Sequence, residues 1–123
     1  MAKNSKFDLD FRHGVEGEGM LFDLIKNGRV EVKRDRESWR TGNVAVEYMC
    51  KDKPSGISVT DAEWWAFILD NEIGTPHAII IVPLWHLKYL AKRCARQGKK
   101  VMGGDDNASK MILVPKADLL KHV

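Results

Sequence analysis

The stretch His77-Ala-Ile-Ile-Ile-Val-Pro83 constrains the fold more than any other part of the chain. It is apolar without alternation and rich in β-branched side chains, and a turn, Asn71 to Pro76, precedes it. Such a stretch reads as a fully buried strand. The longest apolar run, Ala78 to Trp85, holds Pro83 and falls far short of a membrane span. Met1 to Asp10 is polar and acidic, without the apolar core of a signal peptide. No membrane partner and a cytoplasmic location are therefore expected. With 123 residues, 44% apolar and 30% charged, the chain has ordinary globular composition, and one domain over residues 1–123 is expected. The net charge of +3 permits a polyanionic partner.

Other elements surround that strand. Glu18, Leu21, Phe22 and Ile25 fall at i, i+3, i+4 and i+7, which predicts a helix from about Val15 to Lys26, stopped at Asn27-Gly28 by a left-handed cap. Arg29 to Asp35 alternates apolar and charged residues, and Asn43 to Met49 is β-branched. With the polar link Arg36 to Gly42 they read as an antiparallel hairpin. Thr60 or Ser58 can cap a helix running to about Asp70, with Asp61 and Glu63 in its first turn. A further helix, about Leu84 to Gln97, carries Leu84, Leu87, Ala91 and Cys94 as its inner stripe. A polar loop, Met102 to Ser109, a short strand, Met111 to Pro115, and a brief C-terminal helix follow. This order predicts an α/β or α+β domain with a mixed sheet. Cys50 and Cys94 read as reduced thiols. No Cys/His spacing resembles a zinc site.

The predicted hairpin carries the chemistry. Glu31, Lys33 and Asp35 share one face of its first strand, and Ala45, Glu47 and Met49 share one face of its second. If the hairpin is symmetric about Trp39, Glu31 lies opposite Glu47. Two opposed carboxylates destabilise a hairpin unless a divalent cation lies between them. Lys33 would stand beside that cation, and metal, carboxylates and Lys together can hydrolyse a phosphodiester. The competing interpretation is a solvated strand face of mixed charge. A one-residue slip would send Glu47 to the other face. Glu18 adds a third carboxylate, because it lies on the apolar stripe of the first helix and would face a core. The competing interpretation there is a helix-start Glu favoured by the dipole. Glu16 is a rival, but Gly19 occupies its i+3 position.

Basic residues flank the proposed site: Arg34, Arg36, Arg40, Lys51 and Lys53 suit phosphate contacts. Lys88, Lys92, Arg96, Lys99 and Lys100 form a second group, for which plain solvation is the competing interpretation. Trp39, at the predicted hairpin tip, could stack on a base or meet a neighbouring subunit. Trp64 and Trp65 read as core. The Gly103-Gly104 loop could approach a phosphate.

The ordered strings Gly17-Glu-Gly19, Val30-Glu-Val-Lys-Arg-Asp35, Thr41-Gly-Asn-Val-Ala-Val-Glu47, Lys53-Pro-Ser-Gly-Ile57 and Thr60-Asp-Ala-Glu-Trp-Trp65 resemble small phage and bacterial nucleases of the PD-(D/E)XK superfamily. Gly103-Gly-Asp105 followed by Leu113-Val-Pro115 is similar to the same group, so the resemblance spans about Glu16 to Leu120. It implies a restriction-endonuclease-like α/β core, a central mixed sheet flanked by helices, with Mg²⁺ or Mn²⁺ at acidic residues on adjacent strands. In Holliday-junction resolvases a carboxylate of the first helix joins the site. By that analogy Glu18, Glu31 and Glu47 hold the metal, and Lys33 completes the catalytic set.

One departure stands out. The superfamily usually has Lys two residues after the second acid, and Met49 occupies that place here. Either the Lys has migrated to the neighbouring strand, or Glu31-Val-Lys33 is itself the acid-x-Lys element. In the second case Glu47 is auxiliary, and the first acid comes from elsewhere, with Asp10 and Asp23 as candidates. Loss of catalysis is a third option. Migration is favoured, because Lys33 and Glu47 would project on the same face. The resemblance implies a phage-encoded or bacterial endonuclease acting on double-stranded or branched DNA. A homodimer suits that substrate, since resolving a junction takes two symmetric cuts. The rivals are a catalytically inactive nucleic-acid-binding module on the same fold and a structural or interaction protein.

Overall fold

The computed structural model describes residues 6–122. Helix α1 is Lys6–Asn27, longer at its start than the periodicity predicts. Strand β1 (Val30–Asp35), the single helical turn α2 (Ser38–Thr41), β2 (Asn43–Cys50) and β3 (Lys53–Pro54) come next. After a 3₁₀ turn at Gly56–Ser58 come β4 (Trp64–Asp70), β5 (Pro76–Pro83) and helix α3 (Leu84–Arg96). β6 (Lys100–Gly103), a short turn and β7 (Ser109–Pro115) follow, and a 3₁₀ segment, Lys116–Leu120, closes the chain.

The strands form two sheets in an α/β arrangement. One is mixed, in the order β1-β4-β5, with β1 parallel to β4 and β4 antiparallel to β5. The other is antiparallel, in the order β3-β2-β7-β6. Trp65, Phe67 and Leu69 of β4 and Val82 of β5 line the inner face of the mixed sheet. Val44 and Val46 of β2 and Ile112 and Val114 of β7 line one face of the antiparallel sheet. Leu87, Leu90, Ala91 and Cys94 of α3 join both sets in one core. Each fully buried side chain of this size contributes about 1.5–3 kcal/mol. The expected inner stripe of α3 is thus present, with Leu84 only half-buried and Leu90 added.

Three expectations are corrected. First, β1 and β2 do not pair. β1 runs beside β4, with Glu31 next to Trp65, while β2 pairs with β7 and places Glu47 next to Met111. The link between them is a capped helical turn instead of a hairpin loop. Asp35 Oδ1 accepts the backbone N–H groups of Ser38 at 2.6 Å and Glu37 at 3.1 Å. Gly42, at φ 76°, ends the turn and sends the chain into the second sheet. Buried Ser38 is fastened there, its carbonyl accepting from Lys116 Nζ at 3.1 Å.

Second, Thr60 to Asp70 is not a helix. Its apolar part is β4, in which Trp65, Phe67 and Leu69 point inward while Ala66, Ile68 and Asp70 take the other face. An unbroken apolar run has no period by which to tell helix from strand, and its aromatic and β-branched content favours the strand.

Third, Glu18 faces no core: residues 10–23 of α1 are all exposed. The helix stops at Gly28 through close approach, not left-handed geometry. The Gly28 N–H donates to the Leu24 carbonyl at 2.9 Å, and a Cβ there would sit 2.4 Å from that oxygen.

Cys50 is half-buried, Cys94 is buried, and both are free thiols. No helix among the described residues is long and apolar enough to cross a membrane.

Candidate active site

β1 is an edge strand of the mixed sheet, and alternation places its side chains on two faces. Val30, Val32 and Arg34 lie on the outer face. Glu31, Lys33 and Asp35 lie on the inner face, in register with Trp65, Phe67 and Leu69. The inner-face triplet therefore borders the core where, among the described residues, no further strand covers it. Asp35 is occupied in capping α2. Glu31 and Lys33 form a half-exposed ion pair at 3.8 Å. The Lys33 ammonium also stands 5.5 Å from the centre of the Trp65 ring, a cation–π position. Trp65 is fully buried, and its indole N–H has no hydrogen-bond partner among the described residues. Lys33 is thus seated on a buried aromatic ring.

Glu47 belongs to the other sheet. The Ser109 hydroxyl donates to its Oε1 at 2.6 Å, across β2 and β7. A bulge follows between Glu47 and Met49. The Lys53-Pro-Ser-Gly-Ile57 string packs here: the Ser55 N–H donates to the Tyr48 carbonyl at 3.1 Å, and the Ser58 hydroxyl donates to the same carbonyl at 2.8 Å. Gly56 has φ +52°, and a Cβ on it would lie 2.1 Å from the Glu47 carbonyl oxygen. Only glycine permits that approach. The string is a clamp on β2 beside Glu47.

Of the expected site residues, the structure brings Glu31 and Lys33 together. It places Glu47 in the second sheet and Glu18 on exposed α1. Among the described residues no three His, Cys, Asp or Glu side chains gather as a metal-holding set. A three-carboxylate metal centre therefore does not fit this arrangement. A hydrated Mg²⁺-type ion needs only one or two carboxylates, and the half-exposed carboxylate of Glu31 has that chemistry. β2, which carries Glu47, is not beside β1, so the favoured option, a Lys moved from beside Glu47 to Lys33 on a neighbouring strand, does not fit this strand pairing.

The expected basic residues divide by environment. Arg34 Nε donates to both oxygens of buried Asp70, at 2.9 and 3.2 Å, and its Nη2 donates to the Gly74 carbonyl at 3.1 Å. Arg40 pairs with Glu37 at 2.8 Å. Exposed Arg36 and Trp39, which is 43% exposed on α2, line one recess with Arg34 and Asp70. Lys51 lies in a tight turn at φ 50°, and Lys53 is exposed on β3. Sequence reasoning missed Trp65 as the seat of Lys33, Ser109 as the partner of Glu47 and Asp70 as the partner of Arg34. All three are contacts between strands distant in sequence, and only the pairing of β1 with β4 and of β2 with β7 makes them.

Asp118, in the C-terminal 3₁₀ segment, is held below the ordinary carboxylate range. The largest cause is a hydrogen bond from Lys121, partly opposed by burial and aided by the charges of Lys121, Arg93 and Lys99.

Comparison with family models, curated proteins and solved structures returns no match.

Proposed function

We propose that this chain is a metal-dependent DNA endonuclease with a restriction-endonuclease-like core, working in the cytoplasm of a bacterial cell on double-stranded or branched DNA. The observation that carries the proposal is the Glu31–Lys33 pair: acid and ammonium two residues apart, on one face of an edge strand, 3.8 Å from each other. Mg²⁺ or Mn²⁺ held at Glu31 would polarise the scissile phosphate and lower the pKa of a bound water. Lys33 offers its ammonium to a non-bridging phosphate oxygen and stabilises the extra negative charge of in-line displacement. The Trp65 ring beneath holds that ammonium in place. Glu47, which accepts from Ser109 in the other sheet, and Glu18, on exposed α1, take no part in this reading of the site.

A second interpretation has its own observation. Because Glu18, Glu31 and Glu47 do not gather, a nucleic-acid-binding module without catalysis is the alternative. Incubating plasmid and branched DNA with Mg²⁺, with Mn²⁺ and with EDTA separates the two. The nuclease proposal expects metal-dependent cleavage that Glu31→Gln and Lys33→Gln abolish. Cleavage that survives both variants, or none in either metal, overturns it.

We also infer that the acting form is a homodimer. On one side of α1, Phe11, Val15, Leu21, Phe22 and Ile25 are exposed, as are Val32 and Ile79 on the outer face of the mixed sheet. Side chains of this size, about half bare or more, expose on the order of 100 Å² each, so the seven give roughly 700 Å² per chain, close to the usual share of one partner in a stable interface. Among the described residues, only the last turn of α1 reaches the chain's own sheet, where Leu24, Ile25 and Gly28 border a cleft with Val30, Ile68 and Ile81. A link of two residues, Gly28 and Arg29, joins the helix to β1. A two-fold axis lets each α1 cover the partner's outer sheet face, satisfying both apolar surfaces at once.

A further inference from the structure

Between α3 and the antiparallel sheet lies a recess of about 360 Å³, within the range of small-ligand sites. Its floor is apolar, made by Ile57, Ala91, Ala95 and Ile112. Tyr48 forms one wall, and Lys88, Lys92 and Lys100 stand at the rim. A second recess adjoins it, shares Tyr48 and Lys100, and continues along β6 and β7 past Val101, Met102 and Lys110. Together they make one groove. Every charged side chain lining it is a lysine. Among the described residues Lys88, Lys92 and Lys100 are in no ion pair, and Lys110 has only a 3.9 Å contact to exposed Asp52. Lys88 and Lys92, four apart on α3, share a helix face with Cβ atoms about 5–6 Å apart.

We propose that this groove binds single-stranded nucleic acid, with phosphates on Lys88, Lys92 and Lys100 and an unstacked base against Tyr48 and the apolar floor. The ligand's identity rests on the proposed nucleic-acid function; the groove itself lies on different elements from the Glu31–Lys33 pair. The chemistry selects the ligand. Lysines alone would take any polyanion. An apolar recess beside a phenol ring adds a demand for flat apolar groups carried on that polyanion. A duplex keeps its bases stacked inside and offers only phosphates, whereas a single strand offers both. Two successive recesses suit a repeating ligand better than an isolated small anion.

The test uses a 5′-fluorescein-labelled dT15 in EDTA, which removes cleavage from the measurement, and reads anisotropy across a series of salt concentrations. The expected result is saturable binding that weakens as salt rises. Lys88→Ala with Lys92→Ala should reduce the slope of log affinity against log salt by about 1.4, the share of two phosphate contacts on a single strand. Tyr48→Leu should weaken binding about tenfold and Tyr48→Phe much less, because stacking needs a ring and not a hydroxyl. Both lysines are exposed, so their loss should leave the thermal midpoint unchanged. The proposal is overturned if dT15 does not bind saturably, if the lysine pair changes neither affinity nor slope, or if unlabelled duplex or poly-glutamate competes as well as unlabelled dT15. Cleavage that needs Glu31 and Lys33, alongside dT15 binding indifferent to Lys88 and Lys92, would overturn the groove and leave the nuclease proposal standing. Lysine-dependent dT15 binding without any cleavage would do the reverse.

Discussion

Lys33 Nζ stands 5.5 Å from the centre of the Trp65 ring, joining an edge-strand cation to a fully buried aromatic residue of the core. The two residues lie on neighbouring parallel strands, and their contact exists only because β1 pairs with β4. A half-exposed cation–π contact of this kind contributes about 0.5–1 kcal/mol. Lys33→Gln should therefore lower the thermal midpoint only slightly while removing metal-dependent cleavage. Circular-dichroism melting beside a plasmid-cleavage assay checks both halves. A large loss of stability would mean that Lys33 is chiefly structural.

Arg34 makes the opposite prediction. Its guanidinium is fastened to Asp70, a carboxylate with 2% of its side chain exposed. Arg34→Ala leaves that carboxylate buried without its partner. Because the arginine itself is half-exposed and screened by solvent, the cost should be about 2 kcal/mol, below the 3–5 kcal/mol of a wholly buried pair. Urea denaturation measures it. Combining Arg34→Ala with Asp70→Asn should recover part of the loss. Full stability with weakened DNA binding would instead assign Arg34 to phosphate contact.

The clamp beside Glu47 depends on Gly56. At φ +52°, with Glu47's carbonyl where a Cβ would go, Gly56→Ala must displace the loop or strain the backbone. A loss of about 1–3 kcal/mol is expected, with faster amide exchange at Ser55 and Ser58. Val59→Ala, at an exposed neighbour, is the control and should change little.

These three sites show what the sequence could and could not reveal. Period-two alternation is enough to put Glu31 and Lys33 on one face of β1, whatever strand lies beside it. The placement of Glu47 opposite Glu31 required a partner strand as well as a face. Asp35, which looked like one more charged strand residue, caps α2 and sends β2 into a different sheet. β4 failed for another reason: Trp64 to Leu69 is apolar throughout, and Thr60 and Asp61 imitate a helix start. Thr60 does make a local side-chain contact, its Oγ1 accepting the Ala62 N–H at 3.2 Å, without a helix following it. α3 was legible because one face of it meets solvent and leaves a clear 3.6-residue period.

Acid should reveal the Asp118 contact. The folded state holds this carboxyl below its ordinary range, chiefly through the Lys121 hydrogen bond. A carboxylate depressed in the folded state adds stability above its unfolded pKa, and that stability is lost as pH falls through the folded value. The stability of the wild type over Asp118→Asn should thus be constant near neutrality and shrink below about pH 4. Thermal melts of both proteins across that range measure the difference. A gap that persists unchanged well below pH 3 would show that charge is not its origin.

The exposed face of α1 gives the last prediction. An amphipathic helix gains most of its stability from packing its apolar side, and one left bare in water is marginal even at this length. Phe22 and Ile25, 66% and 67% exposed, lie where α1 leaves its own sheet and meets the proposed partner. Light scattering after size exclusion should give twice the chain mass for the wild type and a concentration-dependent dissociation. Phe22→Asp with Ile25→Asp should yield a monomer whose core unfolds at nearly the same temperature, because neither side chain belongs to that core. In the monomer the amides of residues 10–23 should exchange rapidly, since the helix has lost its cover. A wild-type monomer with slowly exchanging α1 amides would mean that the helix folds back on its own sheet, and the two-fold exchange would be wrong.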